Sequence, residues 1–382
     1  MSNQYNRFWP LLLGLATITL MIWTAPLHAQ SADSTRDTTS TKAQHGIVGA
    51  PYIKYAPETG WVGGIVGLYY FHIASDTGRG SARPSSISGG AYYTQKHQYS
   101  IGLHPDLYLV NDVYHLSGGI AYKETPFDFY GDGDRSGTSP IDHYTPLWRG
   151  IDAKFTKNFE RSSTGEGLNV GISGEIRSDE ILSSDSGGIL QSGQIPGAQG
   201  GLSTGLGLTA NYDTRDNIYS THEGVYAELD AMFYGRATGS SFTFNRYSLD
   251  LRKFIPLLES HVIAVQGLLT IAQGNEPFYT MAQLGGELNM RGYYQGRFRD
   301  NDMAVLQVEY RLPIWWRFGF VAFADAGEVA HTLHGFTATG LHYSFGPGIR
   351  FLVIPKQKLG VRLDYGIGND SHELYLSILE AF

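Results

Sequence analysis

The clearest pattern along the chain is a strict alternation of apolar and polar positions. In the run 304–313, one face carries only apolar residues, whereas the other includes Gln307 and Glu309. The runs 224–235 and 358–368 alternate in the same way. A period of two indicates a β-strand with one apolar and one mainly polar face. The chain is therefore predicted to be all-β.

Runs of this kind, separated by turns rich in Gly, Asp, Ser and Pro, predict sixteen strands. They cover residues 48–56, 61–73, 84–95, 97–109, 113–124, 143–158, 166–178, 202–213, 224–235, 239–254, 259–273, 303–313, 317–328, 341–353, 358–368 and 372–382. An even number of short amphipathic strands is typical of bacterial outer-membrane barrels, in which lipid-facing and lumen-facing residues alternate. The predicted fold is a transmembrane antiparallel β-barrel of about sixteen strands over residues 46–382.

The start of the chain has the features of a secretory signal peptide over residues 1–29. Arg7 precedes an apolar run at 11–23, and Ala29 precedes the expected cleavage point. A single membrane anchor is the alternative, although this apolar run is short for one. Residues 30–45 are rich in Ser, Thr and Asp and are predicted to form a disordered periplasmic leader.

The composition supports the barrel and narrows the alternatives. The chain has 48 Gly, 25 Tyr, 19 Phe and 6 Trp, and only 17% of its residues are charged. Glycines and aromatics in short, regularly spaced runs suit a barrel with aromatic girdles. The chain has no cysteine, which excludes a small disulfide-stapled fold. Its formal charge of −8 argues against nucleic acid as a partner. A soluble secreted all-β protein is the alternative.

Two stretches match chemical motifs only in part. Asp132 begins the first half of a calcium-loop pattern, but the twelfth position holds His143 instead of a chelating glutamate. Ser203 lies in a Gly-x-Ser-x-Gly match that opens a strand, whereas a nucleophile elbow needs a strand-to-helix turn. The histidines lack the spacing of paired metal ligands on a helix. We therefore expect no catalytic residue, no metal and no cofactor.

Charged residues on two late strands predict an interior contact. If the apolar faces of these strands point the same way, Glu309 and Asp325 lie close together on the opposite, interior face. Arg291, in the glycine-rich stretch just before them, is the natural countercharge, because a guanidinium group binds carboxylates with fixed geometry. We expect the loop between the eleventh and twelfth strands to fold inward and to be held against the barrel wall by Arg291.

Three signatures in this half of the chain resemble a known family. Arg291-Gly292-Tyr293, followed two strands later by 323–327 (Phe-Ala-Asp-Ala-Gly), resembles the loop-six and strand-thirteen signatures of the BamA/TamA-type bacterial surface-antigen barrels. The stretch 211–217 resembles a further motif of that family. The resemblance covers residues 202–382. It implies a contact between the loop and the barrel wall, formed by Arg291, Gly292, Tyr293, Glu309, Phe323, Asp325 and Gly327. It also implies a rim motif at a strand end, formed by Asp213, Arg215 and Asp216.

The end of the chain resembles an outer-membrane targeting signal. Phe382 is a terminal aromatic residue on an amphipathic last strand, whose apolar face also carries Leu374 and Leu376. Glu380 lies on the same face and departs from the aromatic or apolar residue that is usual there. We expect Phe382 to act as the targeting residue.

Members of the resembled family are outer-membrane proteins that insert or translocate other proteins. The resemblance implies a role in assembly or transport of outer-membrane protein or lipid, through a weak seam between the first and last strands. Residues 30–45 are too few for the periplasmic POTRA modules that relatives usually carry. We therefore expect action with other envelope or assembly proteins, or as a homodimer, among outer-membrane lipids. The alternative is a passive or plugged outer-membrane channel without insertase activity.

Overall fold

The computed structural model describes residues 45–56, 59–71, 73, 85–110, 112–133, 141–160, 167–217, 220–258, 260–355, 358–378 and 380–382. The predicted signal peptide and all but the last residue of the predicted leader lie outside the described residues. Within those residues, no helix has both the length and the apolar character needed to cross a membrane.

Nineteen strands account for most of the described chain. In order they are β1 (Gly46–Ala56), β2 (Gly60–Phe71), β3 (Ser85–Thr94), β4 (Tyr99–Leu109), β5 (Tyr114–Glu124), β6 (Phe127–Phe129), β7 (Asp142–Asn158), β8 (Gly167–Ser184), β9 (Gly201–Asp213), β10 (Gly224–Tyr234), β11 (Phe244–Pro256), β12 (Val262–Gly274), β13 (Ala282–Leu284), β14 (Phe298–Asp300), β15 (Asp302–Trp315), β16 (Phe318–Ala330), β17 (His342–Ile354), β18 (Leu359–Ile367) and β19 (His372–Ile378). Three short 3-10 helices are Ile189–Ser192, Arg236–Thr238 and Leu333–Gly335.

Sixteen of these strands close into one antiparallel barrel, as the alternation predicts. Each barrel strand pairs with the next one along the chain, and β19 pairs with β1. The remaining strands, β6, β13 and β14, are three residues long. β6 pairs with the start of β7, and β13 pairs with β14 in a small separate sheet within the connection from β12 to β15. These three have too few residues to show an alternation.

Side-chain exposure follows the predicted faces. On β15, Leu306 is 51% exposed, whereas Gln307 and Glu309 are fully buried. A transmembrane barrel presents its apolar residues outward to lipid and its polar residues to the interior, which explains this order. Large aromatic side chains stand outward near both ends of the wall, Trp61 and Tyr93 at one end and Trp315 at the other. Their positions fit the aromatic girdles that the composition predicts.

Strand boundaries differ most from the prediction in three places. β11 begins at Phe244 rather than at residue 239, because a 3-10 helix and a left-handed Gly239 (φ +86°) turn the chain first. β8 continues to Ser184, past the predicted end at 178. The prediction of a last strand over 372–382 is wrong at its end. β19 stops at Ile378, because Glu380 turns to an interior arginine, described below.

The two ends of the barrel differ. The connections from β5 to β7, from β8 to β9 and from β12 to β15 share one end, which we call the loop end. They bury a mainly aromatic cluster there, composed of Phe129, Tyr144, Leu190, Ala198, Phe278 and Tyr279. The opposite end, which we call the turn end, holds the tight β15–β16 turn and the β17–β18 turn.

Candidate functional site

The candidate site is formed by the inward loop, residues 285–297, which joins β13 to β14. Apolar residues at and around this loop pack against the interior faces of β15 and β16. They form one buried cluster: Ala282, Leu284, Met290, Tyr293, Phe298, Met303, Val305 and Val329. Burial of these side chains supplies the nonspecific part of the loop's attachment. The specific part comes from one arginine.

Arg291 is fully buried and contacts three carboxylates on three different strands. Its Nη1 donates to Glu309 Oε1 at 2.5 Å and to Asp364 Oδ2 at 3.1 Å. Its Nη2 lies 3.6 Å from Asp325 Oδ1, and its backbone N–H donates to Asp325 Oδ2 at 3.3 Å. The guanidinium group also stacks on the Phe323 ring, 3.6 Å from the ring centre. The structure thus brings together Arg291, Glu309, Asp325 and Phe323 as the sequence predicts.

Asp364 is the third carboxylate, and the sequence prediction did not assign it to the site. The alternation in 358–368 does place it on the polar face of β18. What the sequence lacks is the distance: 73 residues separate Arg291 from Asp364. Only closure of the barrel brings β18 beside the loop.

Glycines let the loop approach the wall at backbone distance. Gly292 has a φ of +100°, and an added Cβ would lie 3.0 Å from the backbone nitrogens of Ile367 and Gly368. Facing it, a Cβ on Gly366 would lie 2.4 Å from the Gly292 nitrogen. A Cβ on Gly327 would lie 2.7 Å from Leu284 Cδ1. Each predicted glycine therefore occupies a position where a side chain does not fit.

Tyr293 ties the loop to the last strands through hydrogen bonds. Its hydroxyl donates to the Tyr343 carbonyl oxygen and accepts from the Asn369 N–H, both at 2.9 Å. Its carbonyl oxygen accepts from the Tyr375 hydroxyl at 3.0 Å, and that hydroxyl also accepts from the Gly292 N–H at 3.2 Å. Tyr375 is fully buried and was missed by the sequence prediction.

The charges around Arg291 continue as a chain toward the end of the protein. Glu309 Oε2 accepts from Arg311 Nε at 2.7 Å. Asp364 Oδ1 accepts from Arg350 Nη1 at 2.5 Å, and Arg350 Nε in turn donates to Glu380 Oε2 at 2.7 Å. Removing a charged group from water costs free energy, and an isolated buried charge has nothing to offset that cost. Here each cation lies beside a carboxylate, and their attraction offsets it.

Phe382 lies inside this network and not on the outer face of a strand. Its carbonyl oxygen accepts from Arg311 Nη2 at 3.0 Å, and its ring packs in a buried cluster with Phe254, Val262 and Ala264. These partners stand on the interior faces of β11 and β12. The placement on a last strand is thus corrected, whereas a targeting role for Phe382 stays a prediction.

The rim motif forms a separate site at the turn end. Arg215 binds Asp213 with two parallel hydrogen bonds of 2.9 Å and covers the Tyr226 ring. Asp216 accepts from the backbone N–H groups of His222 and Glu223 at 2.8 and 3.2 Å. Burial alone would raise the pKa of Asp216, but these hydrogen bonds hold its pKa below the usual value. The motif closes the β9–β10 turn and does not contact Arg291.

The partial chemical motifs lie away from the inward loop. Ser203 is a buried interior residue of β9, and that strand continues unbroken to Asp213. Most of the calcium-loop match, residues 134–140, lies outside the described residues. In the described ranges, no group of three or more His, Asp or Glu side chains is arranged to hold a metal ion.

The contact between the first and last strands, the seam, is short. β1 pairs with β2 over its whole length, through eleven register pairs, and β18 pairs with β19 through seven. Between β1 and β19, the described residues give one register pair, Tyr55 with Leu376. In that antiparallel register, the last residue of β19 lies level with Ile53. Residues 46–52 of β1 therefore extend past the end of β19.

Comparisons with known proteins agree with this architecture. A family model described as the Omp85 superfamily domain matches residues 78–368. BamA from Haemophilus ducreyi lacking POTRA domains 1-3 has a similar structure, with a TM-score of 0.58 and 14% identity, over 88% of this chain and 70% of that chain. No curated protein sequence is significantly similar to this chain.

Two further structures are similar, CdiB from Acinetobacter baumannii (TM-score 0.56, 13% identity) and CdiB from Escherichia coli (TM-score 0.57, 11% identity). Each match covers 88% of this chain, but only 59% and 62% of the respective CdiB chains. The chain therefore spans less than two thirds of these CdiB chains, and the similarity to all three structures is one of fold.

Proposed function

Since the chain belongs to the Omp85 superfamily, as its signatures predict, we propose that it assists the assembly or transport of outer-membrane protein or lipid. In this proposal the protein lies in the bacterial outer membrane, and the edge of β1 that faces β19 binds an incoming β-strand. Outer-membrane lipids and other envelope or assembly proteins are its partners. A homodimer joined edge to edge is a further prediction.

The observation that carries this proposal is the unequal pairing of β1. Its edge toward β2 is fully paired, whereas its other edge meets β19 at Tyr55 alone among the described residues. Unpaired N–H and C=O groups are costly at membrane depth, because lipid offers them no hydrogen bonds. An extended peptide satisfies such an edge by adding a strand, with main-chain hydrogen bonds giving affinity.

The chemistry of the rest of the chain fits a binding role. We propose that the protein is not an enzyme and needs no cofactor. The charged side chains brought together at the inward loop are occupied with one another, as in the contacts of Arg291 with Glu309 and Asp364. Such a network positions the inward loop against the barrel strands. It offers no activated nucleophile.

A passive or plugged channel is the second candidate, and the buried clusters of the interior are the reason to test it. The inward loop packs an apolar cluster against the wall, and the connections of the loop end bury an aromatic cluster. Conductance of the purified protein in a planar bilayer distinguishes an open pore from a barrel that the inward loop obstructs. Large steady openings indicate a pore. Small flickering openings that grow on Arg291→Ala indicate a barrel whose lumen the loop obstructs.

The test of the proposed function is depletion of the protein in its host, followed by quantitation of the outer-membrane proteome and lipids. The proposal predicts loss of other barrels, or of one surface lipid class, and recovery when the wild-type gene is supplied. An unchanged envelope with altered uptake of small solutes would contradict the proposal and support the channel.

A further inference from the structure

One carboxylate of the inward loop contacts both sides of the seam. Glu287 Oε1 accepts a hydrogen bond from Lys54 Nζ, and Lys54 belongs to β1. Glu287 Oε2 lies 3.5 Å from Arg362 Nη2, and Arg362 belongs to β18. The same Arg362 nitrogen donates to the Glu287 carbonyl oxygen at 3.4 Å. β19 lies between β1 and β18 in the barrel, so these contacts span the seam from inside.

The two halves of this bridge differ in how firmly they are anchored. Arg362 is fully buried, also binds Asp364 at 3.1 Å, and stands on a strand that pairs with β19 along seven residues. Lys54 stands on β1, whose edge toward β19 has one register pair among the described residues. Glu287 therefore connects the weakly held first strand to the firmly held end of the wall.

The three side chains of these contacts are largely removed from water. The side chains of Lys54 and Glu287 are 19% and 17% exposed, and that of Arg362 is 1% exposed. Ion pairs that are partly removed from water are screened less than exposed pairs, which contribute little. Among the described residues the seam provides one register pair, so a charge bridge across it adds to the few contacts that hold β1 beside β19.

We propose that Lys54, Glu287 and Arg362 form a seam bridge, which keeps β1 against β19 and has to break before β1 separates. Its part in admitting an incoming strand rests on the proposed function, but its effect on the seam does not. The inward loop then has two separate tasks. Arg291 holds the loop on the wall. Glu287, on the same loop, binds Lys54 and so keeps the seam closed.

The test is hydrogen–deuterium exchange of the purified full chain in lipid nanodiscs, without any substrate. In Glu287→Gln, the amides of β1 near Tyr55 and of β19 near Leu376 are expected to exchange roughly tenfold faster than in the wild type. The amides of β7 and β8, far from the seam, keep wild-type exchange and show that the barrel is folded. Lys54→Met removes the other half of the bridge and is expected to give the same change.

Glu276→Gln is the matched control. Glu276 is a buried glutamate in the same β12–β15 connection, but it binds Arg246 on β11, away from the seam. It is expected to leave exchange at the seam unchanged. Wild-type seam exchange in both Glu287→Gln and Lys54→Met would overturn the proposal. Equal acceleration in the Glu276 and Glu287 variants would also overturn it, because loosening of the whole connection would then be the cause.

If Glu287→Gln fails to fold, the Lys54 variant carries the test, because Lys54 lies outside the loop. The outcome is also separable from that of the proposed function. Faster seam exchange in a protein whose depletion leaves the envelope unchanged supports the bridge and contradicts the assembly role. Unchanged seam exchange in a protein whose depletion removes other barrels does the reverse.

Discussion

Arg291 Nη1 and Asp364 Oδ2 lie 3.1 Å apart, although 73 residues separate Arg291 from Asp364 along the chain. This contact fixes the inward loop to β18, the strand next to the last. The bonds from Arg291 to Glu309 and Asp325 hold the same loop on β15 and β16. Because Glu287 of this loop contacts Lys54 on β1, direct contacts link the position of the loop to the seam.

Replacement of Arg291 tests how much the buried charges depend on it. Arg291→Ala removes the cation that pairs with Asp325 and one of those that pair with Glu309, in a buried site, and is expected to lower the free energy of unfolding by about 3–5 kcal/mol. Urea unfolding in detergent micelles measures this. Lys358→Ala is the control, because Lys358 pairs with Asp216 between two turns at the turn end, where the Lys358 side chain is 44% exposed, and should contribute less than about 1 kcal/mol. Equal losses in both variants would refute the role of Arg291.

Charge reversal tests the pairing itself. Asp325→Arg is expected to reduce the heat resistance of the folded barrel on a semi-native gel, because it places two cations together. Adding Arg291→Asp restores only part of it, since the new carboxylate then lies beside Glu309 and Asp364. Full heat resistance in both single variants would show that the pairing is unimportant.

Gly292 tests the close approach of the loop to the β18–β19 turn. In Gly292→Ala the added methyl group meets Gly368 and Ile367 at 3.0 Å, on a backbone with a φ of +100°. We expect a loss of about 2–4 kcal/mol, which combines strain and overpacking. Gly239 is a matched control: its φ is +86°, but an added Cβ has no atom within 4 Å. Urea unfolding measures both variants. If Gly239→Ala lowers the free energy of unfolding as much as Gly292→Ala does, the close contact of the loop with the β18–β19 turn contributes nothing.

Tyr375 tests the hydrogen bonds between the loop and the last strand. Tyr375→Phe removes its bonds with the Gly292 N–H and the Tyr293 carbonyl oxygen. The carbonyl oxygen keeps its bond from the Gly286 N–H, whereas the buried Gly292 N–H loses this partner. The expected cost is about 1–3 kcal/mol. Limited proteolysis should also cut the inward loop faster. Tyr343→Phe is the control, because its outward side chain is 53% exposed. The same cleavage rate as in the wild type would contradict this account.

Phe382 tests whether the end of the chain supports the interior. Phe382→Ala is expected to destabilise the folded barrel by about 3–5 kcal/mol, the range for emptying a buried aromatic site. Phe345 is 58% exposed on the outer face, so Phe345→Ala should have a much smaller effect in detergent. If the Phe382 variant unfolds at the wild-type urea concentration, its interior packing is unimportant.

Much of the architecture follows from local pattern. Alternation on β15 and β16 predicts the strands, their faces and the shared interior position of Glu309 and Asp325. Lys54, Asp364 and Tyr375 escape such reasoning, because they reach the loop only when the first and last strands meet. The end of β19 also escapes it. Glu380 interrupts the apolar face there, but its partner Arg350 stands on β17, two strands earlier, and no local pattern shows that contact.

The most direct test of the central claim is to lock the seam chemically. The chain has no cysteine, so Tyr55→Cys with Leu376→Cys introduces the only two thiols, at the register pair that joins β1 to β19. Ile53→Cys with Gly63→Cys is the control, since it links β1 to β2 and leaves the other edge of β1 free. The readout is promoted insertion of an unfolded outer-membrane barrel into liposomes that contain each variant.

We predict that oxidation of the seam pair abolishes promoted insertion, that reduction restores it, and that the control pair is active in both states. Equal insertion by the oxidised and reduced seam pair would contradict the claim that incoming strands bind at the edge of β1.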